Sequence, residues 1–457
     1  MSADERFMEA IEDTEEEEEI PMPPEYEQLA RRHERLQGKH KTAVDNFMGK
    51  GSRMDAVVIK PRYYGELLTW ALHRHMRLEG WKIVRTLGCR SPEPVYINVN
   101  TGDGKPQNLL RDGMLFIKKG DERLTVTVDA NMMSYNSVVI CGKMCNKKKI
   151  LEFAIGVETI ATKQNFYRGK KLELAGRIRF LKLPARNWEA VILDPEIKRE
   201  IWANTVGFLG SRERLAGYGI PPKRGVLLVG EPGTGKTLIC KALMAEGKGI
   251  TCILAHAYSE DDNEYITELY EIAQDLSPSI VFIEDIDLVA QNRMEFGYSR
   301  GTVLLALLST LDGIEEHREI VTVATTNYLE IIDKAIGHRP SRFDRVIKLP
   351  LPSLENRKEL VGLLARKIPL DEATKEYIAR KAERCTPAQL QEIMFSLVIQ
   401  YSAGVSEAEK QNLKVSLDDI DNAISKINGK NKQRLGFCPK DNHNGDRRWD
   451  LEVLSQG

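Results

Sequence analysis

Two spacings of apolar residues divide the chain. "YYGELLTWALHRHMRLEGW" puts Leu67, Leu68, Ala71, Leu72 and Met76 on one stripe at helical spacing. Short runs follow, "PVYINVN", "GMLFIKK", "RLTVTVD", "SVVICGK" and "KLELAGRIRFLKL", separated by Gly, Asn and Asp. Alternation such as Leu124, Val126, Val128 predicts half-buried antiparallel strands. Residues 26–185 therefore read as an α+β N-terminal domain without a catalytic constellation, suited to recognising a partner or substrate. From Asn187 the runs become almost wholly apolar: "GVLLVG", "ITCILAHA", "SIVFIED", "EIVTVATTN" and "RVIKLPL" alternate with helical segments. That pattern predicts an α/β domain over 187–350, a parallel sheet with helices on both faces. Residues 351–430 turn helical, with N-caps at "TPAQ" and "SLDD".

The ends differ in character. Residues 1–25 hold five consecutive glutamates, Glu15 to Glu19, and then "PMPPE". Such a composition cannot bury enough surface to fold and reads as a disordered acidic tail. Residues 26–50 predict one short, highly charged helix with a solvated face. Residues 431–457 read as a flexible polar tail.

Composition narrows the classes. The 457 residues are 42% hydrophobic and 29% charged, as in a globular protein, with a formal net charge of -1. No global field favours nucleic acid or an anionic membrane. No run approaches the roughly 18 apolar residues of a membrane span, and the acidic N-terminus lacks the parts of a signal peptide. A cytoplasmic location without a membrane partner is expected. The seven cysteines are scattered, and Cys141 and Cys145 have no second pair to complete a zinc site. They read as unpaired thiols.

The chemistry concentrates in "GEPGTGKT", which follows an apolar strand and opens the helical run "TLICKALMAE". This is the setting of a phosphate loop. Gly230, Gly233 and Gly235 let the backbone curl so that N–H groups converge on an anion, with Glu231, Pro232 and Thr234 between them and Leu238 just beyond. The helix N-terminus adds partial positive charge. Lys236 is expected to reach the β- and γ-phosphates and Thr237 to bind magnesium, so ATP and Mg2+ are the expected cofactors. Downstream, "IVFIEDID" reads as a buried strand that delivers Glu284 and Asp285 to its end.

With these blocks in order, the sequence resembles the AAA ATPases. "RGVLLVGEPGTGKT" is similar to the family's phosphate-loop strand, "IVFIEDID" to its second acidic motif, and "LLSTLDGI" to the helix that follows. "TVATTN" and "HRPSRFDRVIKLPLP" resemble its sensor and its second region of homology. The resemblance covers about Asn187 to Asn428. It implies a P-loop NTPase module of the AAA+ class (parallel sheet, helices on both faces, small helical lid) placed after the α+β domain. It further implies that Glu284 supports the metal, Asp285 polarises the attacking water, and Asn327 senses the γ-phosphate. Arg342 and Arg345 would act as arginine fingers on a neighbour's ATP, in a homo-oligomeric ring of six or seven subunits. Adenine is expected between Val191 and the region of Ala388.

Two departures from the family pattern stand out. The acids run Glu-Asp in place of Asp-Glu, an order similar to the branch of the mitochondrial translocase of the Rieske iron–sulfur protein. The loop "AHAYSEDDNEYITELYEIAQ" lacks the aromatic–aliphatic–glycine triplet of threading members, and Tyr258 and Tyr265 read as packing residues. The expected function is a ring-forming ATPase that couples Mg-ATP hydrolysis to remodelling or disassembly of a protein partner bound through the N-terminal domain. The alternatives are a nucleotide-gated assembly switch with little hydrolysis, and a nucleic-acid-associated motor using the basic stretches "KMCNKKKI" and "YRGKKLELAGRIR".

Overall fold

A computed structural model describes residues 40–130, 135–183, 188–256, 262–287, 319–330, 343–402 and 415–432. The expected acidic tail, the C-terminal tail, the segment Leu307–Ile314, Tyr258 and Arg342 lie outside these residues. The chain divides into two compact units, residues 1–181 and 182–457.

The first unit is built on an antiparallel sheet. Its strands are β1 (Arg53–Pro61), β2 (Lys82–Leu87), β3 (Val95–Val99), β4 (Gln107–Lys119), β5 (Glu122–Ala130) and β6 (Tyr135–Lys143). They run in the order β1-β6-β5-β4-β2, with β3 paired to β4. The alternating residues Leu124, Val126 and Val128 are all buried, as their period of two requires. The hairpin β7 (Lys171–Leu174) and β8 (Ile178–Phe180) follows.

The helix Gly65–Glu79 buries the predicted stripe Leu67, Leu68, Ala71, Leu72 and Met76. Against it packs a helix the apolar pattern had not announced, Lys147–Lys163. Its three opening lysines draw the eye to charge, but Ile150, Phe153, Ala154, Val157, Ile160 and Ala161 recur at helical spacing and are buried. Gly156 sits at the crossing: a Cβ there would come within 2.2 Å of the His75 ring, so only glycine admits the approach. Residues 40–48 are helical as expected, but their face is not simply solvated. Val44 and Met48 are buried with Phe116.

The second unit holds a parallel sheet of β9 (Lys223–Val229), β10 (Thr251–His256), β11 (Ser279–Glu284), β12 (Ile320–Thr326) and β13 (Arg345–Lys348). Within it the order is β13-β9-β12-β11-β10, and each neighbouring pair is parallel. Every residue of β11 and β12 is buried, the signature of strands covered on both faces. Because all five strands point the same way, their carboxyl ends gather on one edge, where ligands of open α/β sheets bind.

Four helices follow: Leu354–Leu364, Glu372–Lys381, Pro387–Ser402 and Leu417–Lys432. They enclose a core that includes Val361, Ile378, Leu390, Ile393 and Ile420. Buried Arg357 fastens the first helix to the second by donating to the Ala379 carbonyl at 2.7 Å. Both predicted caps form, and in "SLDD" the Asp419 N–H donates to Ser416 Oγ at 3.1 Å. Among the described residues, no helix is long and apolar enough to cross a membrane.

Candidate active site at the carboxyl edge of the parallel sheet

Strand β9 ends at Val229 and the helix Lys236–Glu246 begins seven residues later, so the loop between them must turn sharply. Gly233 (φ 86°) and Gly235 (φ 95°) take left-handed conformations that side chains resist. Thr234 closes the turn by donating through both its N–H (3.2 Å) and its hydroxyl (2.8 Å) to the Glu231 carbonyl.

The loop is pinned on two sides. The Gly230 N–H donates to the Thr326 carbonyl at the end of β12 (3.2 Å). The Gly233 carbonyl accepts from the Ala388 N–H (3.2 Å) at the start of the helix Pro387–Ser402. That helix start is a capping box: Gln389 N–H donates to Thr386 Oγ1 at 3.3 Å, and Thr386 N–H donates to Gln389 Oε1 at 2.8 Å. A Cβ on Gly233 would lie 2.8 Å from Thr386 Oγ1 and 3.0 Å from the Ala388 Cβ.

Lys236 is 7% exposed and bends back under the loop. Its ammonium donates to the carbonyls of Gly230 (2.7 Å) and Glu231 (3.2 Å) and to Asn327 Oδ1 (2.8 Å). Burial lowers its pKa, and the Asp285 and Asp287 carboxylates oppose that shift.

Three acids emerge from the end of β11. Glu284 is 8% exposed; His256 Nδ1, its register partner on β10, lies 3.8 Å from Oε2, while Oε1 is buried without a hydrogen bond among the described residues. Asp285 has φ 52°, uncommon for a residue with a Cβ, and its N–H donates to Thr325 Oγ1 at 3.0 Å. Asp287 is 1% exposed and grips Asn327 twice: Oδ1 accepts the backbone N–H (3.0 Å) and Oδ2 the side-chain Nδ2 (3.3 Å). Asn327 Nδ2 also lies 3.5 Å from Asp285 Oδ1. Asn327 thus couples the loop lysine to the acids of β11. Below them, burial and the charge of Glu284 push the Cys240 thiol well up, leaving it neutral.

The other expected site residues fall differently. Thr237 is exposed on the first turn of its helix, Leu238 is half-buried, and Glu231 and Pro232 face solvent. Val191 is buried, but its N–H donates to the Trp188 carbonyl and its own carbonyl accepts from Lys198, so its described hydrogen bonds lead away from the loop. Arg345 is exposed at the start of β13, level with Val226 and three positions before the Val229 register that abuts the loop. The structure does not bring it to its own chain's cluster. Its neighbour Asp344 accepts the Gly225 N–H at 2.7 Å.

The anchoring roles of Asp287, Thr325 and His256 were not read from sequence. Asp287 and Thr325 occur within the quoted blocks "IVFIEDID" and "TVATTN", and His256 ends the apolar run before the altered loop.

Comparison with known proteins agrees with this geometry. Residues 226–351 match the profile of the "ATPase family associated with various cellular activities (AAA)". Similar curated proteins include the proteasome-activating nucleotidase of Aeropyrum pernix, 32% identical over 251 residues, 53% of this chain and 60% of that protein. The proteasome-activating nucleotidases of Sulfurisphaera tokodaii (33% over 235 residues, 49% and 58%) and Methanococcus maripaludis (33% over 272 residues, 54% and 65%) are also similar. The chain spans less than two thirds of the length of these relatives. They are named proteasome-activating nucleotidases, and do not belong to the Rieske-protein translocase branch that the Glu-Asp order resembles. Loop, strand order and profile agree on an α/β nucleotide-binding fold of the P-loop class for the second unit, in which residues 226–351 are similar to the AAA ATPases.

Proposed function

We propose that the chain is a ring-forming ATPase that couples Mg-ATP hydrolysis to remodelling or disassembly of a protein partner. The observation that carries this reading is the network Lys236–Asn327–Asp285/Asp287, which joins the phosphate loop to a carboxylate pair. In it the loop amides and Lys236 bind the phosphates, Asn327 reports the γ-phosphate, and Asp285 orients the attacking water. The left-handed backbone of Asp285 re-aims its carboxylate.

Magnesium fits the residues present. Magnesium takes few protein ligands and several phosphate oxygens. Thr237 and Glu284 would hold it, and the unsatisfied Glu284 Oε1 supports that assignment. When bound, the ion neutralises charge on the β- and γ-phosphates.

The exposed position of Arg345, apart from its own loop, favours a role across a subunit boundary together with Arg342. The relatives are named for activating a proteasome, which favours a protein partner over nucleic acid. The α+β unit is the proposed recognition domain. The likeness to the translocase branch rests on the order of the acids and the flanking "VILDPEIKREIWANTVGFLGSRERLAGYGIPPKRG" alone.

One observation favours the alternative of a nucleotide-gated switch. The longer carboxylate, Glu284, occupies the inner position of the pair, and misplacement of about 1 Å is costly in catalysis. ATP turnover per subunit over a hundredfold range of protein concentration, with Asp285→Asn and Arg342→Ala beside the parent, separates the two. Specific activity that climbs with concentration and is abolished in both variants supports the ATPase ring. Turnover at background with intact nucleotide binding replaces it with the switch.

A further inference from the structure

The stretch "YRGKKLELAGRIR", one of the basic stretches of the nucleic-acid alternative, contributes to a built hollow in the first unit. A cavity of about 620 Å³ opens where the β7–β8 hairpin and the N-terminus of the helix Gly65–Glu79 meet one face of the antiparallel sheet. Arg62 from the turn before the helix, Arg111 from β4, and Arg177 and Arg179 from the β7–β8 hairpin line it. The side chains of Arg111, Arg177 and Arg179 make no hydrogen bond or ion pair among the described residues.

Two acids face these cations. Asp129 is already engaged by Arg90, and Glu66 stands half-buried in the first helical turn. Burial raises the Glu66 pKa, while Arg177 and Arg111 pull it the other way. Tyr63 and Tyr167 form an apolar wall behind the charges, and the Tyr167 ring is held between Tyr64 and Phe180.

We propose that this cavity binds a small molecule through a phosphoryl group, at a site separate from the phosphate loop. Guanidinium groups fork onto phosphate oxygens, and the amides of a helix start favour an anion at the same place. The size falls within the range of small-molecule pockets and is far too small for a nucleic-acid duplex. Among the described residues, Arg111, Arg177 and Arg179 have only the Glu66 carboxylate left to share, an excess of positive charge that an anionic ligand would offset.

The test uses the full chain carrying Lys236→Ala, which silences the phosphate loop, titrated calorimetrically with inorganic pyrophosphate and separately with AMP. We expect binding near one per chain. Adding Arg111→Ala and Arg177→Ala should weaken it at least about tenfold, while Glu66→Gln leaves it unchanged or tightens it about threefold. Far-UV circular dichroism and thermal unfolding report whether each variant is folded. AMP binding tighter than pyrophosphate assigns a nucleotide to the site; the reverse assigns a phosphate without a nucleoside. Absence of binding, binding indifferent to the paired arginine change, or loss of binding in a folded Glu66→Gln protein overturns the proposal. So does pyrophosphate binding that emerges only when residues 1–25 are removed, since the occupant is then the chain's own glutamate run.

Discussion

Asp287 holds Asn327 by two hydrogen bonds, one to its backbone N–H at 3.0 Å and one to its side-chain amide at 3.3 Å. The two residues lie just beyond the ends of adjacent parallel strands, and the grip fixes the amide so that Oδ1 faces the Lys236 ammonium. The Asn327 amide, the proposed sensor, is therefore positioned from below by a buried acid that itself points away from solvent.

Asp287→Ala should release that grip. Two donors of Asn327 lose a buried acceptor, a cost of about 1–3 kcal/mol in stability. Turnover should fall by roughly tenfold or more, because a misdirected amide no longer meets the lysine. Nucleotide affinity should fall less than turnover. Steady-state hydrolysis beside equilibrium binding of a fluorescent nucleotide reads the split; equal losses in both would show that the acid serves binding alone.

Gly233→Ala tests the pinned loop. The new methyl meets Thr386 Oγ1 and Ala388 Cβ at or inside 3.0 Å, and the left-handed φ adds about 1–2 kcal/mol of strain. Nucleotide binding should weaken about tenfold or more, measured by calorimetry. A variant that binds like the parent would mean the loop and the helix start are free to separate.

Thr386→Ala removes the side-chain half of the capping box. Helix stability should drop by about 1 kcal/mol. Gln389 then also loses its reciprocal geometry, so Gln389→Ala in the same chain should add little further, a non-additivity that chemical denaturation of the double variant detects.

His73 carries the pH prediction. Its Nε2 is buried without a hydrogen-bond partner among the described residues, and burial, then the charge of Arg77, lowers its pKa from 6.5 to about 4. The unfolded chain therefore binds a proton that the folded unit resists. Stability from this group is complete above pH 6.5 and is lost as the pH falls toward 4, by roughly 2 kcal/mol after allowing for partial exposure. His73→Leu should flatten the fall in melting temperature of the first unit across that window. An unchanged slope would locate the acid sensitivity elsewhere.

What could be read in advance was what is local in the chain. "GEPGTGKT" declares its turn because Gly233 and Gly235 are needed where they stand, and "TPAQ" declares its cap because all the partners lie within four residues. The stripe Leu67 to Met76 and the alternation Leu124 to Val128 are equally local. The bond between Asp287 and Asn327 spans 40 residues and depends on two strands lying side by side, which no spacing reveals. The helix Lys147–Lys163 was hidden by its basic opening, although its apolar period was present. Likewise Arg111 and Arg177 share a cavity only because β4 and the β7–β8 turn meet in the folded first unit.

The hydrogen bond from the Ala388 N–H to the Gly233 carbonyl joins the helical bundle directly to the loop that cradles phosphate. A helix start has few free amide donors, and here one of them is committed to that loop. The bundle cannot swing without either dragging the glycine turn along or breaking this bond. On the proposed function, gain or loss of a phosphate would be felt as a hinge angle, and a pull on the bundle from outside as a change in nucleotide affinity. The same joint works as a sensor in one direction and an actuator in the other.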